Sequence, residues 1–208
     1  MVIAQEKPQV ATVTKTFVTL EEYRAIAETA EERYEYCNGE MIVMSGGTAT
    51  HSAIAINILV YLGFLLRDTD FRLYNSDLRV WIPEHLCGTY TDLMVVNHEP
   101  EFNGDRTDEI LNPLLIVEVL SPSTEAYDRG DKFRKYRSIP SFCEYLVVSQ
   151  SEPYVEQYLR LEPGDRWQLQ TYDQLDQIIT LESLKIELPL QEIYRRVDFD
   201  HLPEEIAS

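Results

Sequence analysis

Residues 114–137 read LLIVEVLSPSTEAYDRGDKFRKYR, an apolar run holding one carboxylate, Glu118, that passes straight into a segment rich in lysine and arginine. Leu115, Ile116, Val117, Val119 and Leu120 are the short, β-branched-rich run of a strand buried on both faces. A carboxylate inside such a strand is costly unless it is paired or keeps a proton. An arginine or a backbone N–H beside it would be the bland explanation. A working carboxylate is the alternative, and what the rest of the chain brings to Glu118 decides between them.

Downstream, Arg129, Lys132, Arg134, Lys135 and Arg137 put five of the 18 basic residues within nine positions. Asp128 is placed to cap a helix over residues 129–138, ended by Pro140. Taken alone, such a run is a solvated helix face. Upstream, residues 89–96 predict a strand with Tyr90, Asp92, Met94 and Val96 on one face. Asp92 thus lies on an apolar strand 26 residues before Glu118. Two carboxylates on neighbouring strands suit Mg²⁺, which takes oxygen ligands in octahedral geometry and keeps several waters. A lysine near them could orient or activate the attacking water and offset charge building on a phosphate. Together these are the parts needed for phosphodiester hydrolysis.

Composition both permits and opposes that chemistry. The 208 residues, 44% hydrophobic, suffice for one domain with a full core. A net charge of −18 repels nucleic acid at long range, and the basic run answers the objection only locally. The longest apolar run, residues 54–66, is shorter than the ~18 residues of a membrane span. The N-terminus lacks the basic start and apolar core of a signal peptide. The expectation is a cytoplasmic protein with no membrane partner. Cys37, Cys87 and Cys143, odd in number and far apart, read as reduced thiols acting as small hydrophobes.

The remaining segments define one α/β domain over residues 16–195, preceded by a loose arm (1–15) and followed by an acidic tail (196–208). Thr19-Leu-Glu-Glu22 reads as a capping box opening a helix. Asn38-Gly39 between residues 33–37 and 40–44 signals a hairpin, and a largely buried helix is expected over 50–67. Single strands are expected over 71–82 and 89–96, an acidic loop over 97–113, then strands over 144–149, 153–161, 166–172 and 178–181, and a short helix from Leu190.

The run IVEVLSPSTEAYDRGDKFRKYRSIPSFCEYLVV resembles the signature of the Uma-two family of restriction-endonuclease-like proteins, within the PD-(D/E)xK nuclease superfamily. EYCNGEMIVMSGGTATH, NSDLRVWI and YTDLMVV resemble the family's upstream hairpin, following strand and acidic-motif strand, so the resemblance covers roughly residues 17–190. It implies a restriction-endonuclease-like core: a mixed central β-sheet flanked by helices, with an extra N-terminal hairpin and C-terminal strands. By the same resemblance Asp92 and Glu118 bind Mg²⁺ or Mn²⁺, with the Val119 carbonyl as a further ligand. Two departures stand out: Thr91 replaces the superfamily's proline, and Leu120 replaces the lysine two places after the glutamate.

The resemblance implies that a lysine on the next helix stands in for the missing one. Lys132 is the first choice, because it fits the spaced pattern Asp128, Lys132, Tyr136. Lys135 is the second, against the alternative of a surface pair with Asp131. Glu40 matches a position that supplies an extra acid in some superfamily members, or is a solvated hairpin glutamate. His51 contacts phosphate or is structural. Asp77 matches the family strand without a derivable role, and Tyr127 and Tyr136 line a cleft or belong to the core. Arg129 and Arg134 would bind the nucleic acid.

Two functions follow. The first is a Mg²⁺- or Mn²⁺-dependent DNA endonuclease, expected as a homodimer because a two-fold pair of sites suits cutting both strands of a duplex. The second is a catalytically inactive nuclease-fold module that acts by binding protein or nucleic acid, which Leu120 and the net charge favour. A serine or cysteine hydrolase finds no nucleophile-elbow pattern.

Overall fold

The computed structural model describes residues 17–44, 46–161 and 165–199. The arm at 1–15 and most of the acidic tail lie outside the described residues. The chain opens with helix α1 (Leu20–Thr29), where the Thr19 side chain and Glu22 form the expected reciprocal capping box. Hairpin β1 (Tyr34–Cys37) and β2 (Glu40–Val43) turns at Asn38 and Gly39, both at positive φ. Helix α2 (Ala49–Leu66) follows, capped by Thr48, whose side chain accepts the His51 N–H at 3.0 Å.

Two expected strands each prove to be two, divided between different sheets. Residues 71–82 form β3 (Phe71–Asn75) and β4 (Arg79–Ile82), separated by a turn. Residues 87–97 form β5 (Cys87–Tyr90) and β6 (Leu93–Asn97), and Thr91 and Asp92 make the crossing. Asp92 therefore does not sit within a strand. No Gly or Pro marks the crossing, and Thr91 and Asp92 alone carry no turn signal, so the stretch reads as one strand. The acidic loop contains a short strand, β7 (Glu109–Ile110). Next come β8 (Pro113–Val119), β9 (Glu144–Val148), β10 (Val155–Leu161), β11 (Arg166–Tyr172), β12 (Ile178–Leu181) and β13 (Ile186–Pro189).

Six strands form a mixed sheet in the order β11-β10-β9-β8-β6-β3, with β8 and β9 parallel. Five others form the sheet β2-β1-β5-β4-β7, and β12 pairs with β13 alone. Alternation on the central strands sorts their side chains into two cores. Leu115, Val117 and Val119 pack with Leu93, Val95 and the Ile54, Ile58, Leu62, Leu66 stripe of α2. Ile116 and Leu120 face the other way, into a core shared with Val80 and Ile82 of the second sheet. A third, smaller cluster, Tyr23, Tyr36 and Trp81, joins α1 to the outer face of that sheet. Beneath it, buried Arg79 donates to the Tyr23 hydroxyl at 2.5 Å and pairs with Asp108, which Arg106 grips bidentately at 2.7 Å.

By length and composition α2 could cross a bilayer, with 18 residues and mean hydropathy 1.7. The apolar run within it is shorter, because Thr50, His51 and Ser52 open the helix. Here its apolar stripe packs on the six-stranded sheet, while Ile56, Val60 and Phe64 are 55–63% exposed on another side.

The basic segment departs from the expected helix. Helical structure begins at α3 (Glu125–Tyr127), passes through a π-helical turn over Asp128–Lys132 and ends in α4 (Phe133–Tyr136). Asp128 is thus inside the helical segment and buried, not its N-cap. A final short helix, α5 (Leu190–Ile193), lies against α2.

Candidate active site at the seam of two sheets

The carboxylate of Asp92 replaces a missing rung of the sheet. β6 pairs with β8 through Leu93↔Val117, and beyond that point the chain leaves for the second sheet. The Val119 N–H on that edge would be left without a partner, a costly state in a buried strand. Asp92 Oδ2 accepts it at 2.7 Å. The first sequence-derived acid is thereby fixed beside the second, since Glu118 is the residue before Val119.

Glu118 faces the space between the sheets and is 4% exposed. Its Oε1 accepts Lys132 Nζ at 3.1 Å and the Tyr136 hydroxyl at 3.1 Å, and that hydroxyl also meets Thr89 Oγ1 at 2.8 Å. Lys132 donates in addition to the Tyr90 carbonyl at 2.9 Å and lies 3.2 Å from Asp128 Oδ1 and 3.6 Å from Glu35 Oε1. One ammonium therefore faces three carboxylates. Burial pushes the Glu118 pKa well above the carboxylate range against the pull of Lys132, and raises Glu35 in the same way. Burial works to lower the Lys132 pKa, but Glu118, Glu35 and the groups around them outweigh it and hold it well above the ordinary value. Lys132 thus carries its positive charge into the space between the sheets.

Glu35 escaped the sequence reading. In Tyr34-Glu-Tyr-Cys37 the alternation suggests one aromatic face and one solvated face. In the fold both faces of β1 are covered, and Glu35 Oε1 turns inward to accept the Tyr90 N–H at 2.9 Å. The helix lysines divide their roles. Lys135 is buried, lowers the Cys37 pKa and lies 5.2 Å from the Tyr127 ring centroid. It does not pair on the surface with Asp131, which Arg134 holds at 3.2 Å. The π turn inserts extra backbone between Asp128 and Phe133 and so rotates Lys135 inward. Tyr136 is fully buried among Phe142 and Tyr145 as well as touching Glu118.

His51 Nε2 lies 3.3 Å from Asp92 Oδ2, and its ring packs on Gly47, where a Cβ would stand 2.8 Å from Nδ1. Burial acts to lower the His51 pKa, but Asp92 and the Val119 carbonyl outweigh it, so it is raised. The Thr48 hydroxyl donates to Gln150 Oε1 at 2.5 Å, and the buried Gln150 Nε2 has no protein partner among the described residues. Neither Thr48 nor Gln150 carried a sequence signal. Glu40 lies opposite Cys37 in the hairpin register and so shares the face that carries Glu35. Of the expected nucleic-acid ligands, Arg129 is drawn into pairs with Glu125 at 3.0 Å and with Glu156, whereas Arg134 remains exposed. Asp77 pairs with Arg33 at 2.7 Å.

The donor set suits a hard cation completed by water. All contacts recorded for Asp92 fall on Oδ2 and those for Glu118 on Oε1, so Oδ1 and Oε2 stay outside the protein's own hydrogen bonds among the described residues. No three His, Cys, Asp or Glu side chains among the described residues gather tightly enough to hold an ion by themselves. Two carboxylates, a backbone carbonyl and water form the shell Mg²⁺ accepts.

The architecture is that of a nuclease-fold protein: it matches the crystal structure of "a putative nuclease belonging to DUF820" from Anabaena variabilis with a TM-score of 0.69. That match covers 85% of this chain and 97% of the other at 18% identity, so it speaks for the fold alone. Residues 20–191 match the Uma2 family, described as "Putative restriction endonuclease", and the chain belongs to that family. Two Synechocystis sp. relatives are similar along most of their length. "Uncharacterized protein sll1609" is 37% identical over 158 residues, 76% of this chain and 88% of the relative. "Uncharacterized protein slr1290" is 35% identical over 179 residues, 86% of this chain and 92% of the relative.

Proposed function

We propose that the protein is a divalent-metal-dependent endonuclease that hydrolyses phosphodiester bonds of DNA at the seam between its two sheets. One observation carries the reading: the three residues that the chemistry requires, Asp92, Glu118 and Lys132, come from a strand crossing, a strand and a helical segment and converge on one site. Asp92 Oδ1, Glu118 Oε2 and the Val119 carbonyl would hold Mg²⁺ or Mn²⁺. Such an ion supplies Lewis-acid polarisation of the phosphate and lowers the pKa of water.

The chain's own residues do the rest. Val119 N–H and His51 orient the Asp92 carboxylate, and Tyr136 and Lys132 orient Glu118. The Lys132 ammonium adds positive charge where a phosphate's negative charge grows in the transition state. His51, open to the same carboxylate, would donate to a phosphate oxygen. Arg134 and the edge of the basic segment offer the DNA its local attraction. A homodimer fits the exposed Ile56, Val60, Phe64 stripe, because α2 carries no charged residue and two copies could pack it face to face despite the acidic surface.

Plasmid DNA incubated with purified protein and Mg²⁺ or Mn²⁺ should be nicked or linearised. Absence of cleavage in both metals, on duplex, single-stranded and junction substrates, would sink the endonuclease and leave the inactive binding module.

A further inference from the structure

A second meeting of reactive side chains lies where β1 pairs with β5. Cys37 ends β1, Cys87 begins β5, and the two stand directly opposite in the antiparallel register. The Asn38 N–H donates to the Leu86 carbonyl at 3.0 Å, which makes Cys37/Cys87 a non-hydrogen-bonded pair. Such pairs hold their Cα atoms about 4.5 Å apart with side chains on one face, inside the roughly 4.4–6.8 Å that a disulfide spans. The two thiols are unbridged.

They are not equivalent. The hydrogen bond from the Cys87 thiol, helped by the hydrogen bond and charge of Lys135, draws the Cys37 pKa down to about 6 against the effect of burial. The same hydrogen bond and burial push Cys87 above the ordinary thiol range. Cys37 is therefore the more acidic thiol, and it is the more exposed of the two. Cys143 lies apart, its Sγ 3.7 Å from the Leu114 carbonyl.

We propose that Cys37 and Cys87 form a hydroperoxide-reactive dithiol site, with Cys37 the attacking sulfur and Cys87 the resolving one, closing a cross-strand disulfide. The Cys37 thiolate attacks one peroxide oxygen, the O–O bond breaks, and the leaving hydroxide takes a proton from solvent to become water. Cys37 is then a sulfenic acid. The Cys87 sulfur attacks the Cys37 sulfur, the S–O bond breaks, and the departing hydroxide leaves as water with the Cys87 proton. The two sulfurs lose two electrons in all, and hydrogen peroxide is reduced to two waters. The bridge would join the same strands that deliver Glu35 and the Tyr90 carbonyl to Lys132.

The test uses the full reduced chain, treated with hydrogen peroxide, alkylated, digested and analysed by mass spectrometry. The expected product is lighter by two hydrogen atoms before digestion, yields a peptide linking Cys37 to Cys87, leaves Cys143 alkylated and returns to the dithiol with dithiothreitol. In Cys87→Ser, dimedone should label Cys37. Without any substitution, alkylation of Cys37 should follow a titration centred near pH 6. Both thiols still alkylated after peroxide, a bridge to Cys143 or between chains, or a Cys37 titration at the ordinary thiol value would overturn the proposal.

Discussion

Lys132 Nζ lies 3.1 Å from Glu118 Oε1, so the ammonium that Leu120 cannot offer from the strand reaches the same carboxylate from the helical segment. Its route runs through the π turn, which sets Asp128 and Lys132 side by side at 3.2 Å and aims both inward.

Removing that ammonium should unsettle the fold as well as the chemistry. Lys132→Met leaves Glu118, Glu35 and Asp128 buried together without a cation, and breaking a buried ion pair in this way costs about 3–5 kcal/mol. Urea unfolding followed by circular dichroism would show it as a lowered midpoint. Adding Glu118→Gln to Lys132→Met should restore part of the loss. If the double variant is no more stable than the single one, charge is not the reason.

Asp92→Asn should separate activity from stability. The asparagine oxygen can still accept the Val119 N–H, and the site is partly open to solvent, so the folding cost should stay below ~1 kcal/mol. Nicking of plasmid DNA and the calorimetric heat of Mn²⁺ binding should both disappear, and Glu118→Gln should abolish the same two signals. A variant that still cuts DNA at the wild-type rate would remove that acid from the mechanism.

Asp108 supplies a pH-dependent contribution to stability far from the site. Burial acts to raise its pKa, but Arg106 and Arg79 outweigh it and hold it below the ordinary 3.8. A depressed carboxyl stabilises the fold fully above 3.8 and loses that contribution as pH falls through its folded-state value. Asp108→Asn should therefore be less stable at pH 7 by roughly 1–2 kcal/mol, a figure reduced for its partial exposure. The gap from wild type should close at pH values below 3.8, as read by thermal unfolding across a pH series.

The exposed stripe of α2 offers a test of assembly. Val60→Glu places a charge in the middle of the surface that a second copy would cover, and analytical ultracentrifugation should then find only monomer. Wild-type protein sedimenting as a monomer at tens of micromolar would dispose of the dimer.

What could be read beforehand was local. Glu118 declared itself because a carboxylate interrupts an apolar strand, and the capping box at Thr19 and the Asn38-Gly39 turn are short-range chemistry that survives into the fold. What stayed hidden depends on pairings between distant segments. Glu35 became a buried acid only because the helical segment that carries Lys132 packs against the inner face of β1, and Cys37 meets Cys87 only because β1 pairs with β5. The crossing at Asp92 was invisible because no Gly or Pro marks it. Asp128 read as a helix cap because its residue type favours caps, while the π turn that buries it follows from tertiary contacts and not from propensity.

Lys132 touches both sheets at once, through Glu118 on one and through Glu35 and the Tyr90 carbonyl on the other. Asp92, in contrast, is tied only to the β8 edge and to His51 of α2 among the described residues. A lineage released from the need to cut nucleic acid would therefore shed these residues in a fixed order. The aspartate could drift early to an asparagine that still accepts the Val119 N–H, whereas the lysine and its glutamates would persist as a keystone, so that a descendant silent in catalysis would still carry most of the apparent signature.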